Sequence, residues 1–206
     1  KKSQIDVVND IKKYKNDYLI FGDIELTIFS LAHQLVGMEK LLIDMMMETE
    51  YVIPLFKACA EFQTQIGLRL IETGVDALWF GDDFGTQISL IMPPETFREQ
   101  LKPHYKIMID RFKEAKPDII PILHTDGAVA ELLDDIHEIG FEVFNPVQPG
   151  VPGHLPQDMK DRFGDKFAFW GALDQQYLLP NGTDEELEND IIEKISILGK
   201  DGGYMI

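Results

Sequence analysis

Cysteine occurs once in the 206 residues, at Cys59, so no disulfide can form within the chain. A reducing cytoplasm is the expected setting for such a chain. Cys59 falls on the apolar face of a helical repeat, where burial is a more natural role than reactivity. Basic residues are scarce as well: 19 Lys and Arg stand against 36 Asp and Glu, a formal charge of −17. A surface this negative repels nucleic-acid phosphates and anionic lipid, so neither is an expected partner. No apolar run approaches the roughly 18 residues of a spanning helix. The segment Lys1-Lys2-Ser3-Gln4-Ile5-Asp6 lacks the apolar stretch of a secretion signal. No glycine-rich phosphate loop follows the first expected strand, which weakens a doubly wound dinucleotide-type sheet.

What is present is an ordinary globular composition, 45% hydrophobic and 27% charged, with ample material for a core. Short apolar runs alternate with helical patterns. Strands are expected at 18–21, 75–80, 119–123, 141–144 and 167–170, with a sixth starting at Tyr204. Between them, helical periodicity covers about 27–35, 39–47, 52–70, 94–112, 128–139 and 157–163. Thr183 with Glu186 makes a capping box for a last helix reaching about Leu198. Six alternations of strand and helix predict a parallel sheet with covering helices. The expected fold is α/β, a (β/α)8 TIM-type barrel. Such a barrel takes about 250 residues, so residues 1–206 are expected to be one incomplete barrel domain of about six strands, cut at both ends. Self-association is one way to complete it.

The strand ends carry the polar residues. They are Asp23; Asp82 and Asp83; His124 and Asp126; Asn145 and Gln148; and Asp174. In a barrel these ends share one face and reach a common ligand. His124-Thr125-Asp126-Gly127 is the most informative segment. Residues two apart at a strand end project to one side, so His124 and Asp126 form a two-point claw for a metal or a polar substrate. Imidazole and carboxylate are ordinary ligands of a divalent ion such as zinc. A third ligand would come from Asp82, Asp83, Asp174 or a residue after Ile206. The plainer alternative is that Asp126 caps the following helix. Asp82 and Asp83 can supply a general base or bind a cation, or simply shape a turn between Gly81 and Gly85. The expected catalytic residues are His124, Asp126 and Asp82. Asp83, Asn145, Gln148, Asp174 and Trp170 are expected to bind substrate, Trp170 as a flat wall. His33, His104, His137 and His154 stand alone and are expected to be surface or structural residues.

Together these junctions resemble the uroporphyrinogen decarboxylase superfamily. The resemblance rests on Gly81-Asp82-Asp83-Phe84-Gly85, Pro94-Glu95-Thr96-Phe97 with Leu101-Lys102-Pro103-His104-Tyr105, and the His124 segment. It continues through Asn145-Pro146-Val147-Gln148-Pro149 and Trp170-Gly171-Ala172-Leu173-Asp174 with Leu179-Pro180. Their order and spacing are specific as a set, and the resemblance implies an eight-stranded α/β barrel. Asn145-Pro146-Val147-Gln148 is similar to the methyltransferase-like branch, which moves methyl groups between a small substrate or cofactor and a corrinoid carried by a partner protein. That branch often has His-x-Cys where this chain has His124-Thr125-Asp126, and there the His and Cys residues hold zinc. The resemblance thus implies a corrinoid protein as partner and zinc at His124 and Asp126, with carboxylate in place of thiolate. Uroporphyrinogen decarboxylation in porphyrin synthesis is the alternative. The arginine-rich segment that grips propionates in that enzyme is not found here. A non-catalytic ligand-binding relative is the third reading.

Overall fold

In the computed structural model of the chain, residues 4–206 are described, with side chains from Val8 onward. The elements are α1 (Gln4–Tyr14), β1 (Phe21–Asp23), α2 (Phe29–Val36), α3 (Met38–Met46), α4 (Val52–Thr73), β2 (Ala77–Gly81), α5 (Pro94–Thr96), α6 (Lys102–Ala115) and β3 (Ile120–His124). They continue with α7 (Leu133–Ile139), β4 (Val143–Asn145), α8 (Pro156–Phe163), β5 (Ala168–Trp170), α9 (Leu178–Asn181), α10 (Asp184–Leu198) and β6 (Tyr204–Met205). The strands follow chain order, β1-β2-β3-β4-β5-β6, in one sheet. The α/β class is therefore as expected, and this sequential order is that of a (β/α)8 barrel followed part of the way round. Among the described residues, no helix is long and apolar enough to cross a membrane.

The chain divides into two compact units. The first runs to Asp82 and takes in Glu95–Ile122; the second comprises Asp83–Pro94 and Leu123–Ile206. In the first, β1 pairs parallel with β2, Gly22 opposite Leu78. Helix α4 buries Val52, Phe56, Cys59 and Gly67 along one face, at the helical spacing legible in the sequence. Gly74 ends it in a left-handed conformation, φ 94°. Cys59 is buried, and desolvation pushes its thiol up to about 11, so it packs as an unreactive apolar group. The aromatic core includes Phe29, Phe97 and Tyr105, with Phe80 set edge-on to Phe112 at 6.0 Å.

In the second unit β4, β5 and β6 pair in parallel, Phe144 opposite Phe169 and Trp170 opposite Met205. Phe144, Met159, Phe163, Phe169 and Leu198 form its buried centre. The capping box of α10 is present: Glu186 N–H donates to Thr183 Oγ1 at 3.2 Å, and Thr183 N–H donates to Glu186 Oε2 at 2.8 Å.

Three departures from the sequence reading have identifiable causes. The first strand begins at Phe21 rather than Tyr18, because Tyr18 N–H still donates to Tyr14 O as the last turn of α1 unwinds. The single helix expected from Pro94 is broken at Phe97–Leu101 into a wider, π-helical stretch. Pro103, in the first turn of α6, has no N–H to donate back, and the ladder is re-formed around it. The helix expected directly after Gly127 starts only at Leu133, preceded by a 3₁₀ turn at Ala130–Leu132. Gly127, at φ +89°, lies outside the right-handed helical region, and the chain there is held in a loop course by Gly127 N–H on Gln148 Oε1 and Ala128 N–H on Thr86 O, both at 2.8 Å.

Candidate functional site

The geometry of the second unit begins with Thr125. It is fully buried, and its hydroxyl accepts from Phe84 N–H at 3.0 Å while its own N–H donates to Asn145 O at 2.8 Å. Because Thr125 points inward, its neighbours His124 and Asp126 point the other way. His124, half-buried at the end of β3, has Nδ1 2.8 Å from Asn145 Oδ1. An amide oxygen can only accept, so Nδ1 is the donor in this hydrogen bond. Asn145 is itself buried at the end of β4, which fixes the ring.

Asp126 is exposed, and its N–H donates to Asp83 Oδ1 at 2.9 Å. One ligand atom from each of Asp83, His124 and Asp126 lies within 4.8 Å of the others. Desolvation holds the Asp126 carboxyl above its usual range; His124 opposes this, and the Asp83 charge adds to it. No helix begins at Asp126, so it does not take the capping role.

Two glycines make this arrangement possible. A Cβ on Gly127 would lie 2.4 Å from the carbonyl carbon of Gly85, and one on Gly85 would lie 2.7 Å from Asp126 O. Gly127 also has φ +89°, a conformation L side chains rarely adopt. The two backbones touch, so the Asp83–Gly85 and His124–Gly127 segments are registered against each other. Gly127→Ala is expected to cost about 2–3 kcal/mol through overpacking and backbone strain. A lower urea midpoint and displaced His124 ring resonances would show it; an unchanged midpoint would mean the contact is soft.

His124, Asp126, Asn145, Gln148, Trp170 and Asp174 all line one cavity of about 400 Å³. Gln148 Nε2 donates to Gln87 Oε1 at 3.0 Å, tying the loop after β4 to the loop after β2. Asp174 also accepts from the N–H groups of Gln176 and Tyr177 at 2.9 Å, shaping the turn that bounds the cavity. Gln87, Leu173, Gln175 and Gln176 contribute to the lining and were not singled out from the sequence. Gln175 and Gln176 directly follow a singled-out aspartate, and proximity to a strand end is the signal they offered. No Lys or Arg lines the cavity among the described residues.

Asp83 joins the carboxylate–imidazole trio without lining the cavity. Asp82 does neither. It is 1% exposed in the first unit, with Oδ2 accepting from Ile28 N–H at 2.7 Å and Phe29 N–H at 3.0 Å, and Oδ1 accepting from Ser30 N–H at 2.5 Å. The Tyr105 hydroxyl donates to Oδ2 as well. Burial raises its carboxyl, and the hydrogen bonds from Tyr105, Ser30 and Ile28 counter that. A carboxylate whose two oxygens hold the first turn of α2 has little capacity left for a substrate.

A family model for uroporphyrinogen decarboxylase (URO-D) matches residues 6–206. No curated protein matches the chain. Among solved structures, the fold is similar to a methyltransferase from Methanosarcina mazei, with a TM-score of 0.77 and 19% sequence identity. The match covers 97% of this chain and 56% of that one, so the chain spans little more than half the length of the methyltransferase.

Proposed function

The chain belongs to the uroporphyrinogen decarboxylase family, and on that premise we propose that it serves a methyltransferase-like enzyme, moving a methyl group between a small substrate or cofactor and a corrinoid held by a partner protein. The observation that carries this reading is the cavity lining of acids and amides, with no Lys or Arg among the described residues. A substrate with many carboxylates needs compensating cations when it leaves water. A small neutral methyl donor or acceptor does not. The likeness in fold to a methyltransferase supports the same reading.

The donor set suits a divalent ion. His124 brings an imidazole whose Nδ1 is held by Asn145, an outer hydrogen bond of the kind that orients metal-binding imidazoles. Asp126 and Asp83 offer carboxylate oxygens in reach of the same point. Zinc bound there would supply a Lewis acid that lowers the proton affinity of an acceptor thiol or hydroxyl. The rest falls to the side chains: Asn145 and Gln148 set the trio and the loop that faces it, Asp174 and the cavity amides bind polar groups of the substrate, and Trp170 gives a flat wall. In this reading Asp82 is a positioning residue that anchors α2.

The test uses the full-length protein with methylcobalamin and a panel of thiol and pterin acceptors, before and after chelation. Loss of the methylcobalamin absorbance, with methylated acceptor formed and activity restored by zinc, is expected. Conversion of uroporphyrinogen to coproporphyrinogen without added cofactor would replace this reading with decarboxylation. Tight ligand binding with no turnover of any substrate would make the protein a binding relative.

A further inference from the structure

The two oxygens of Asp174 are unevenly used. Oδ1 accepts from the N–H groups of Gln176 and Tyr177, both at 2.9 Å, while Oδ2 has no hydrogen-bond partner among the described residues. Nor is Oδ2 enclosed: Asp174 is partly exposed and lines the His124 cavity, and this oxygen is not among the buried polar atoms without a partner. Trp170 lines the same cavity. Its neighbour Phe169 is fully buried, so the indole, next along β5, projects from the opposite face of the strand. Asp126 adds a second carboxylate to the lining, and no Lys or Arg offsets the two. A molecule that fills this space displaces water from Asp174 Oδ2. An uncharged molecule leaves that carboxylate without compensation, which is costly. A cation removes the cost, and the face of an indole attracts it as well.

We propose that the small substrate of this cavity is an organic cation, an ammonium that carries N-methyl groups and a short polar arm, held by Asp174 and the indole of Trp170. The charge of the ligand is argued from the cavity alone; its role as methyl donor rests on the methyl-transfer reading. A fully methylated ammonium has no N–H to satisfy, so one free carboxylate oxygen and an aromatic face suffice for it. Its methyl groups pack on Leu173 and Pro146, and the amides of Gln175 and Gln176 take the polar arm. A cavity of about 400 Å³ is in the size range of small-molecule sites. Asp174 stands outside the Asp83–His124–Asp126 trio, so a metal ion held there leaves it available. In transfer from such a substrate the C–N bond breaks and its electron pair stays on nitrogen. The methyl carbon bonds to a lone pair of the acceptor corrinoid, and a neutral tertiary amine remains.

The test titrates the full-length protein with choline, with its uncharged carbon isostere 3,3-dimethylbutan-1-ol, and with the anion 3,3-dimethylbutanoate. Choline is expected to bind about tenfold or more tighter than either, with nuclear Overhauser contacts from its N-methyl protons to the Trp170 indole. Asp174→Asn keeps an oxygen for the Gln176 and Tyr177 amides and removes the charge. It should bring choline to within about twofold of the isostere. Trp170→Leu should weaken choline about threefold or more, and Asp174→Asn carries the test should that variant fail to fold. Equal binding of choline and the isostere, tighter binding of the anion, or a preference for choline that survives Asp174→Asn would each overturn the proposal. Methyl transfer between methylcobalamin and thiols in a protein with no preference for choline would overturn it too, with the transferase reading left standing. A preference for choline in a protein that transfers no methyl group would support the cation site and remove the transferase reading instead.

Discussion

With His124 replaced by alanine, methyl transfer by the full-length protein should fall by about 10³-fold or more, while its circular dichroism and melting temperature stay close to those of the parent. The scale is that of losing a ligand or proton-transfer group that acts directly on the reacting atoms. Stability should survive because His124 is only half-buried at a strand end, and Asn145 holds it through a side-chain-to-side-chain hydrogen bond. Asn145→Leu, which frees Nδ1 and lets the ring turn, should cost about 10–100-fold, as outer hydrogen bonds to metal-binding imidazoles do. Bound zinc measured in parallel should drop in both variants. Activity retained within tenfold in His124→Ala would remove the imidazole from the chemistry and leave the cavity as a binding site.

Asp82→Ala should have the opposite profile, a loss of stability before any effect on chemistry. The carboxylate accepts from three consecutive backbone amides at the start of α2 and from the buried Tyr105 hydroxyl. Alanine strands four donors with no access to water. Breaking a buried charged network from one side typically costs about 3–5 kcal/mol, on the order of 10 °C in melting temperature for a domain of this size. Asp82→Asn should fall between: one amide oxygen can still face Ile28 and Phe29, but its NH₂ then confronts Ser30 N–H. Urea unfolding read by fluorescence measures both. A wild-type-like midpoint for Asp82→Ala would show that water replaces the carboxylate, and with it the anchoring role would fail.

These paired outcomes bear on what the sequence could reveal. Strand order and helix positions were readable because the periodicities and the terminal glycines and prolines are local signals. Gly74 closing α4 and the Thr183–Glu186 capping box are of this kind. Where reading failed, a distant partner decided. Gly127 sits at φ +89° against the backbone of Gly85, so the helix written into the pattern from Ala128 waits until Leu133. Asp82 and Asp83 are indistinguishable by composition, and only the fold shows that one faces α2 and the other the imidazole. His154 stands alone in the sequence, with nothing in its neighbours to announce that both nitrogens are buried. Gln87, Gln175 and Gln176 offered at most their nearness to a strand end, and an amide there is commonplace.

Adjacent carboxylates with opposite duties impose a reading frame on Gly81–Gly85. Insert or delete one residue there and the two acids exchange sides: the α2 amides lose their acceptor while the imidazole gains a carboxylate in the wrong place. Homologous chains that keep both duties should therefore hold this pentapeptide at constant length, with an acid at each of the positions of Asp82 and Asp83.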